Sequence, residues 1–309
     1  MLIKNSNFTI KNNILLSNNI VQNNSGSNIR FGVKVKFKSI LTQTTPATEE
    51  ALNYYMLKQL QKSCDCNFGK LRDYFTSIFE SLINRSQNED EFYNNLANAV
   101  AKFIGNNHFE NSKHKCSSYE ERIKLMLNGC PLSANPVYLD IGCGDGVITK
   151  SIGESLYIDK NNIFGIDISN PASIEGVNIL KYDGKNIPRQ IPPIDFATLF
   201  MVLHHLKNEK QAKYLLKSIY KRMNDGGYLL IRDHEIKNKQ DKLFWKIIHP
   251  LNSKIMGGPY PDLDYGKLYL SSEKWEKILQ DIGFKVVKKV TDRRYNNQCS
   301  YLLLVQKSP

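Results

Sequence analysis

A chain of 309 residues with a formal net charge of +12 can bury a substantial core and is basic enough to favour anionic partners. It contains no run of about 18 uninterrupted apolar residues and no apolar leader at Met1-Leu-Ile-Lys-Asn-Ser, so neither a membrane span nor secretion is expected. The six cysteines (Cys64, Cys66, Cys116, Cys130, Cys143 and Cys299) are too scattered for a disulfide scaffold and fit reduced thiols in a cytoplasmic protein.

Residues 1–44 are rich in Asn and Ser and hold six Lys or Arg and no acid. The alternation in Phe31-Gly-Val-Lys-Val-Lys-Phe-Lys38 fits an edge strand, a hairpin or a basic arm that touches phosphate. Residues 45–117 read as a helical region, with helix-spaced patterns over 49–62, 68–84 and 89–104. Another helix is expected over 118–128, at the start of a third segment, 118–309. Ser86-x-x-Glu89 and Ser117-x-x-Glu120 are capping-box candidates, and Tyr74, Phe75, Ile78, Phe79 and Leu82 form a core-facing stripe. Cys64-x-Cys66 with His108, His114 and Cys116 matches no standard zinc spacing, so no metal is expected.

Val137-Tyr-Leu-Asp-Ile-Gly-Cys-Gly-Asp-Gly146 is an apolar strand ending in an acid and followed at once by a glycine turn. Gly142 and Gly144 let the backbone take positive φ and approach a ligand, while Val147, Ile148 and Ile152 begin the apolar face of a helix. A dinucleotide fingerprint would place its third glycine later and would disfavour an acid beside an anionic pyrophosphate. Asp140 and Asp145 suit instead a ligand carrying an ammonium group and a sulfonium. Ile163 to Ile168 reads as a second strand ending near Asp167, where a carboxylate can accept ribose hydroxyls, and Val177 to Tyr182 as a third strand leading to Asp183. Ile194 to Leu203 is a fourth, buried strand running into His204-His205-Leu206. A helix over Lys210 to Met223 stops at Asn224-Asp-Gly-Gly227, and Tyr228 to Ile231 begins a fifth strand. Phe284 to Val290 and Ser300 to Val305 read as the final strands.

The run Leu-Asp-Ile-Gly-Cys-Gly-Asp-Gly over 139–146, with the later landmarks in the same order, resembles class I (Rossmann-like) S-adenosylmethionine (SAM)-dependent methyltransferases. The resemblance implies an α/β fold, a seven-stranded mostly parallel doubly wound sheet with a helical N-terminal region, and SAM as cofactor. It assigns Gly142 and Gly144 to the cradle, Asp140 or Asp145 to the amino group, Asp167 to the ribose and Asp183 to the adenine. The helix over Tyr119 to Leu127 resembles the one that often lies over the cofactor in this family.

The segments past strands four and five form the expected acceptor side. No Asn-Pro-Pro-aromatic run and no Pro-Cys nucleophile stands after strand four, which argues against the familiar exocyclic-amine and cytosine-ring methyltransferases. A Lys-Asp-Lys-Glu set for ribose hydroxyls is not evident either, since His204 stands where its aspartate would be expected. His204 and His234 are the candidate catalytic residues, and His205, Arg232, Asp233 and Glu235 the candidate substrate-binding ones. Four polar residues, Arg232-Asp-His-Glu235, directly after the apolar Leu229-Leu-Ile231 are costly unless they face a cavity or solvent. A looser resemblance joins Ile-Arg-Asp-His-Glu, Phe244-Trp-Lys-Ile-Ile-His249 and Tyr269-Leu-Ser-Ser-Glu-Lys-Trp275 to viral mRNA-capping-type methyltransferase domains, although those more often read Glu-His-Asp and Tyr-Arg-Ser. It implies a viral protein of host cytoplasm or virion. The insertion over 236–270, with Gly257-Gly-Pro-Tyr-Pro261, is a candidate lid or acceptor loop.

Charge supports an RNA partner: residues 131–200 hold five basic and eight acidic side chains, whereas residues 201–309 hold 21 basic and 11 acidic ones. The expected function is methyl transfer to RNA, at a 5′ cap or cap-proximal nucleotide, with RNA held by the basic N- and C-terminal regions and room for a partner subunit. The alternatives are a small-molecule or protein methyltransferase, or a catalytically silent subunit that binds RNA or a partner enzyme.

Overall fold

The computed structural model describes residues 116–169, 173–242, 245, 268–295 and 298–308, with positions 81, 85, 86, 91, 95 and 98. The basic arm over 1–44, most of the helical patterns over 49–104 and most of the 236–270 insertion lie outside the described residues. The chain divides into two compact units, Met1–Ser112 with Leu243–Pro261, and Lys113–Lys242 with Asp262–Pro309. In the first unit, positions 81, 85, 91, 95 and 98 are helical and Asn95 Nδ2 donates to the Ser86 hydroxyl at 3.2 Å.

The second unit runs α1 (Cys116–Leu127), β1 (Tyr138–Ile141), α2 (Val147–Ser155), β2 (Ile163–Asp167), β3 (Asn178–Lys181), β4 (Ile194–Phe200), α3 (Glu209–Arg222), β5 (Met223–His234), α4 (Ser272–Ile282), β6 (Phe284–Tyr295) and β7 (Gln298–Lys307). The strands form one sheet in the order β3-β2-β1-β4-β5-β7-β6. β1 pairs in parallel with β2 and β4, β2 with β3 and β4 with β5, while β7 runs antiparallel to both β5 and β6. This is the seven-stranded, mostly parallel α/β sheet expected of a class I methyltransferase. The order reverses between β1 and β4, and ligands of open α/β sheets bind in the crevice beyond such a switch point.

Alternation along the strands builds a core on each face. Leu139, Ile141, Leu199, Ile231 and Leu303 bury against α3 and α4, while Tyr138, Phe196, Leu230 and Leu302 bury against α1 and α2. Helix α3 presents Ala212, Leu215, Leu216 and Ile219 at helical spacing, and the Asn208 side chain caps it by accepting from Gln211 N at 3.0 Å. Helix α4 is absent from the reading of the sequence. Its signal was present: Ser271 accepts from Lys274 N at 3.3 Å, Trp275, Ile278 and Leu279 bury, and Gly283 ends it at φ 120°.

β5 is longer than the sequence suggests. The polar run after Ile231 continues the strand, because Arg232, Asp233 and His234 lie opposite Leu302, Tyr301 and Ser300 of β7. Arg232, Asp233, His234 and Glu235 are all buried. At the other end, Gly227 sits where backbone closes in: a Cβ there would lie 2.9 Å from Asn224 O and 3.1 Å from the carbonyls of Asp195 and Ile194. Carbonyls of a paired sheet cannot swing aside as a flexible side chain can. Gly227→Ala should therefore destabilise the unit by about 1–3 kcal/mol, measured as a lower midpoint in urea with an unchanged slope.

Candidate functional site

The site begins where β1 ends. Gly142, Gly144 and Gly146 all take positive φ (78°, 55° and 77°), so the chain turns sharply between β1 and the first turn of α2. A Cβ on Gly142 would lie 2.4 Å from Val202 Cγ2, so this glycine lets the loop close onto the segment after β4. A Cβ on Gly144 would meet nothing within 4 Å, so the loop is bare backbone facing open space there. At Gly146, the third glycine of the turn, a Cβ would press to 2.8 Å from Ile179 Cδ1 and 2.9 Å from Ile174 Cγ2.

Asp140 is buried beneath this loop and both its oxygens are engaged. Thr149 Oγ1 donates to Oδ2 at 2.5 Å and Thr198 Oγ1 donates to Oδ1 at 2.7 Å. Thr198 has spent its only proton, so the Tyr138 hydroxyl donates to Thr198 Oγ1 at 2.9 Å. Burial pushes the Asp140 carboxyl up from its ordinary value, the two threonine hydroxyls pull it down, and Asp167 pushes it up again. Beside it, burial and the nearby Asp140 and Asp167 push the buried Cys143 thiol up to about 12.

The other expected cofactor acids lie at successive strand ends. Asp167, at the end of β2, accepts Gly144 N at 2.9 Å on Oδ2, and on Oδ1 it accepts both the amide and the hydroxyl of Ser169, at 2.8 and 2.7 Å. Asp145 is exposed in the loop and accepts Val147 N at 3.1 Å. Asp183, beyond β3, is exposed and accepts Lys185 N and Asn186 N on Oδ1 at 2.7 and 2.9 Å. Those backbone bonds hold its carboxyl below the usual range. The Asp167–Gly144 bond ties β2 directly to the glycine loop, while Asp183 stands beyond the neighbouring strand.

A second group forms past β4 and β5. Met201 takes φ 57°, rare for a side chain other than glycine, and its N–H donates to Arg232 O at 2.8 Å. A short 3-10 turn, Leu203–His205, comes next and buries His204 against Asp233. His204 Nδ1 lies 2.7 Å from Asp233 Oδ1, which also accepts His234 N at 2.7 Å, while Oδ2 accepts His204 N at 3.2 Å. Burial would raise the Asp233 carboxyl, but the charge and hydrogen bond of His204, the His234 amide and the charge of His205 outweigh it and hold the carboxyl below its ordinary value. An ionised Asp233 favours a proton on His204 Nδ1, so in the neutral form of the ring the lone pair is on Nε2. The rings of His205 and His234 lie 4.1 and 4.5 Å from that of His204, centroid to centroid. Tyr269, which the sequence reading gave no role, stacks at 6.3 Å.

His204, Asp233 and His234 offer ligand atoms within 4.8 Å of one another, a spacing a metal ion could bridge, although Nδ1 and Oδ1 are engaged here with each other. Glu235 turns elsewhere, its Oε1 accepting Ser272 N at 3.0 Å in the first turn of α4, where a carboxylate also meets the positive end of the helix dipole. Arg232 lies under α1: Nη1 donates to the Tyr119 hydroxyl at 3.1 Å, and the guanidinium carbon is 5.3 Å from the Tyr119 ring centroid. Tyr119 in turn lies 5.8 Å from Phe200, centroid to centroid. Thr149, Thr198, Met201 and Tyr119 carry no site signal of their own in the sequence, where only the helix that holds Tyr119 stands out.

Comparison with known proteins places this arrangement in a family. A family model described as a methyltransferase domain matches residues 110–289. A curated relative, "Probable O-methyltransferase 3" of Humulus lupulus, is 23% identical over 157 residues, which are 47% of this chain and 38% of that protein. The chain thus spans well under half the length of the curated relative it matches. Among solved structures, human N-acetylserotonin methyltransferase in complex with SAM is 17% identical, with a TM-score of 0.45 over 76% of this chain and 59% of that one. The Haloferax volcanii methyltransferase in complex with the Trm112 activator is 13% identical, with a TM-score of 0.47 over 64% of this chain and 96% of that one.

The Asp140 network has a measurable pH signature. A carboxyl whose value is raised on folding costs nothing below its ordinary range and weakens the fold as pH rises through the raised value. Thr198→Val removes one donor and raises the carboxyl further. The variant should lose about 1–3 kcal/mol at neutral pH, and the loss should shrink as the pH is lowered, followed by urea titrations across pH.

Proposed function

This chain belongs to the methyltransferase-domain family, and from that premise we propose that it is a SAM-dependent methyltransferase acting on RNA, at the 5′ cap or a cap-proximal nucleotide. The observation that carries the cofactor reading is the Gly142–Gly146 turn, whose backbone faces open space at Gly144 beside the Asp167 carboxylate. A side chain at Gly144 would fill that space. In this reading Gly142 and Gly144 cradle the methionine part, Asp167 accepts the ribose hydroxyls, and Asp183 accepts the adenine amine. Asp145, exposed in the loop, receives the ammonium group. Asp140, closed between its threonines, contributes through its buried charge and by holding the loop.

SAM supplies a methyl group already activated on a sulfonium. What remains for the chain is to hold the acceptor in line and to take a proton where the acceptor must lose one. His204, with its tautomer set by Asp233, is the proton acceptor in this reading, and His205 and His234 line the same end of the sheet. The excess of basic side chains over 201–309 supports a polyanionic acceptor. A second reading, methylation of a small-molecule hydroxyl, is favoured by the buried His204–Asp233 pair and by the O-methyltransferase name of the plant relative.

Asp167→Ala should weaken S-adenosylhomocysteine binding by more than about tenfold in calorimetry; an unchanged affinity removes Asp167 from the site. Asp233→Asn should lower turnover by at least about a hundredfold while leaving that affinity within about twofold, since only the base is disturbed. The acceptor is decided by transfer of labelled methyl from SAM to capped RNA, uncapped RNA, small-molecule extract and protein extract. Label in RNA, with RNA binding that falls steeply as salt rises, bears out the first reading, and label confined to small molecules replaces it with the second.

A further inference from the structure

We infer that Arg232 is an anion-binding residue, its buried guanidinium placed to take the carboxylate or phosphate oxygens of a ligand at the carboxyl end of β5. Its side chain is 9% exposed, and among the described residues no carboxylate pairs with it. Nη1 reaches the neutral Tyr119 hydroxyl and the Tyr119 ring faces the cation, while Nε is buried with no hydrogen-bond partner. A guanidinium cannot shed its charge by giving up a proton, so burial without a counter-ion is a standing cost. One phenol and one ring face do not offset it.

The nearby acids do not serve. Side chains alternate along a strand, so Asp233 projects to the opposite face from Arg232, and its oxygens already accept three N–H bonds. Glu235 directs its Oε1 to Ser272 N of α4, and three residues along the strand and its continuation it too projects from the opposite face. Arg232 also stands close to the cofactor notch. Its Cα is the sheet partner of Phe200 and its carbonyl accepts from Met201 N, and the next residue, Val202, is the side chain against which Gly142 closes. The planar fork of a guanidinium matches a carboxylate or phosphate with two parallel bonds. Two ligands could supply that group: the α-carboxylate of the cofactor, which rests on the proposed SAM-dependent function, or an anion on the acceptor.

The test uses the whole chain as wild type, Arg232→Met and Arg232→Lys. S-adenosylhomocysteine and its decarboxylated analogue are titrated calorimetrically, and melting temperature is followed with added inorganic phosphate and acetate. If the guanidinium takes the cofactor carboxylate, wild type binds S-adenosylhomocysteine at least about tenfold more tightly than the analogue, and Arg232→Met binds both alike. If it takes an acceptor anion, wild type and Arg232→Met bind S-adenosylhomocysteine equally, while phosphate or acetate raises the melting temperature of wild type alone. In either case ligand-free Arg232→Met melts no lower than wild type, because an uncompensated buried charge has been removed. Arg232→Lys keeps the charge without the fork and regains only part of the effect.

The inference is overturned if wild type neither prefers the carboxylated ligand nor gains more from phosphate or acetate than Arg232→Met does. Should Arg232→Met fail to fold, Arg232→Lys, which keeps the charge without the fork, takes its place in these comparisons. A wild type that binds no S-adenosylhomocysteine at all defeats the cofactor reading instead, and the phosphate and acetate titrations then judge Arg232 by themselves.

Discussion

A buried carboxylate must be met by hydrogen bonds, and in this fold Asp140 is met by two threonines from different elements. Leaving such a charge unmet would cost several kcal/mol. Thr198 lies in β4 and Thr149 in α2, so satisfying Asp140 ties the central strand β1 to its neighbour and to the first turns of the next helix. The loop between Asp140 and Thr149 then has little slack. Its three glycines at positive φ are what allow so short a connection to close over the carboxylate. The same closure brings Gly144 N to Asp167, so the acid at the end of β2 is positioned by backbone.

The carboxyl ends of β4 and β5 answer a different problem, four consecutive polar residues in a buried strand and its continuation. Each is handled by geometry. Asp233 collects three N–H donors from His204 and His234, which keeps it ionised despite burial and orients the His204 ring. Glu235 caps α4. Arg232 is given a ring and a phenol but, among the described residues, no counter-ion. Arg232 stands at a strand end, where open α/β sheets bind ligands.

The chemistry that was legible in the sequence is local. Strand, acid and glycine turn over 137–146, and acids at 167 and 183 spaced as strand ends, depend only on residues close in the chain. Apolar runs broken by turn residues told the parallel strands apart from the helices for the same reason. The histidines and the polar run after Ile231 drew notice because polar residues beside an apolar run violate local expectation. Helix α4 also carried a local signal, a capping serine before an amphipathic stretch, that the expected elements left out.

What only the tertiary structure decided is pairing across long separations. Asp140 meets Thr198 58 residues away, His204 meets Asp233 across 29 and Arg232 meets Tyr119 across 113, and no local periodicity encodes such partners. The length of β5 was likewise settled by its antiparallel neighbour β7, which arrives last and pairs Arg232, Asp233 and His234 into the sheet. The sequence by itself determined that an acid and a glycine turn follow β1 and that polar groups gather after β4 and β5. Their division into an orienting acid, a helix cap and an unpaired cation came from packing, because hydrogen bonding and charge compensation depend on neighbours in space.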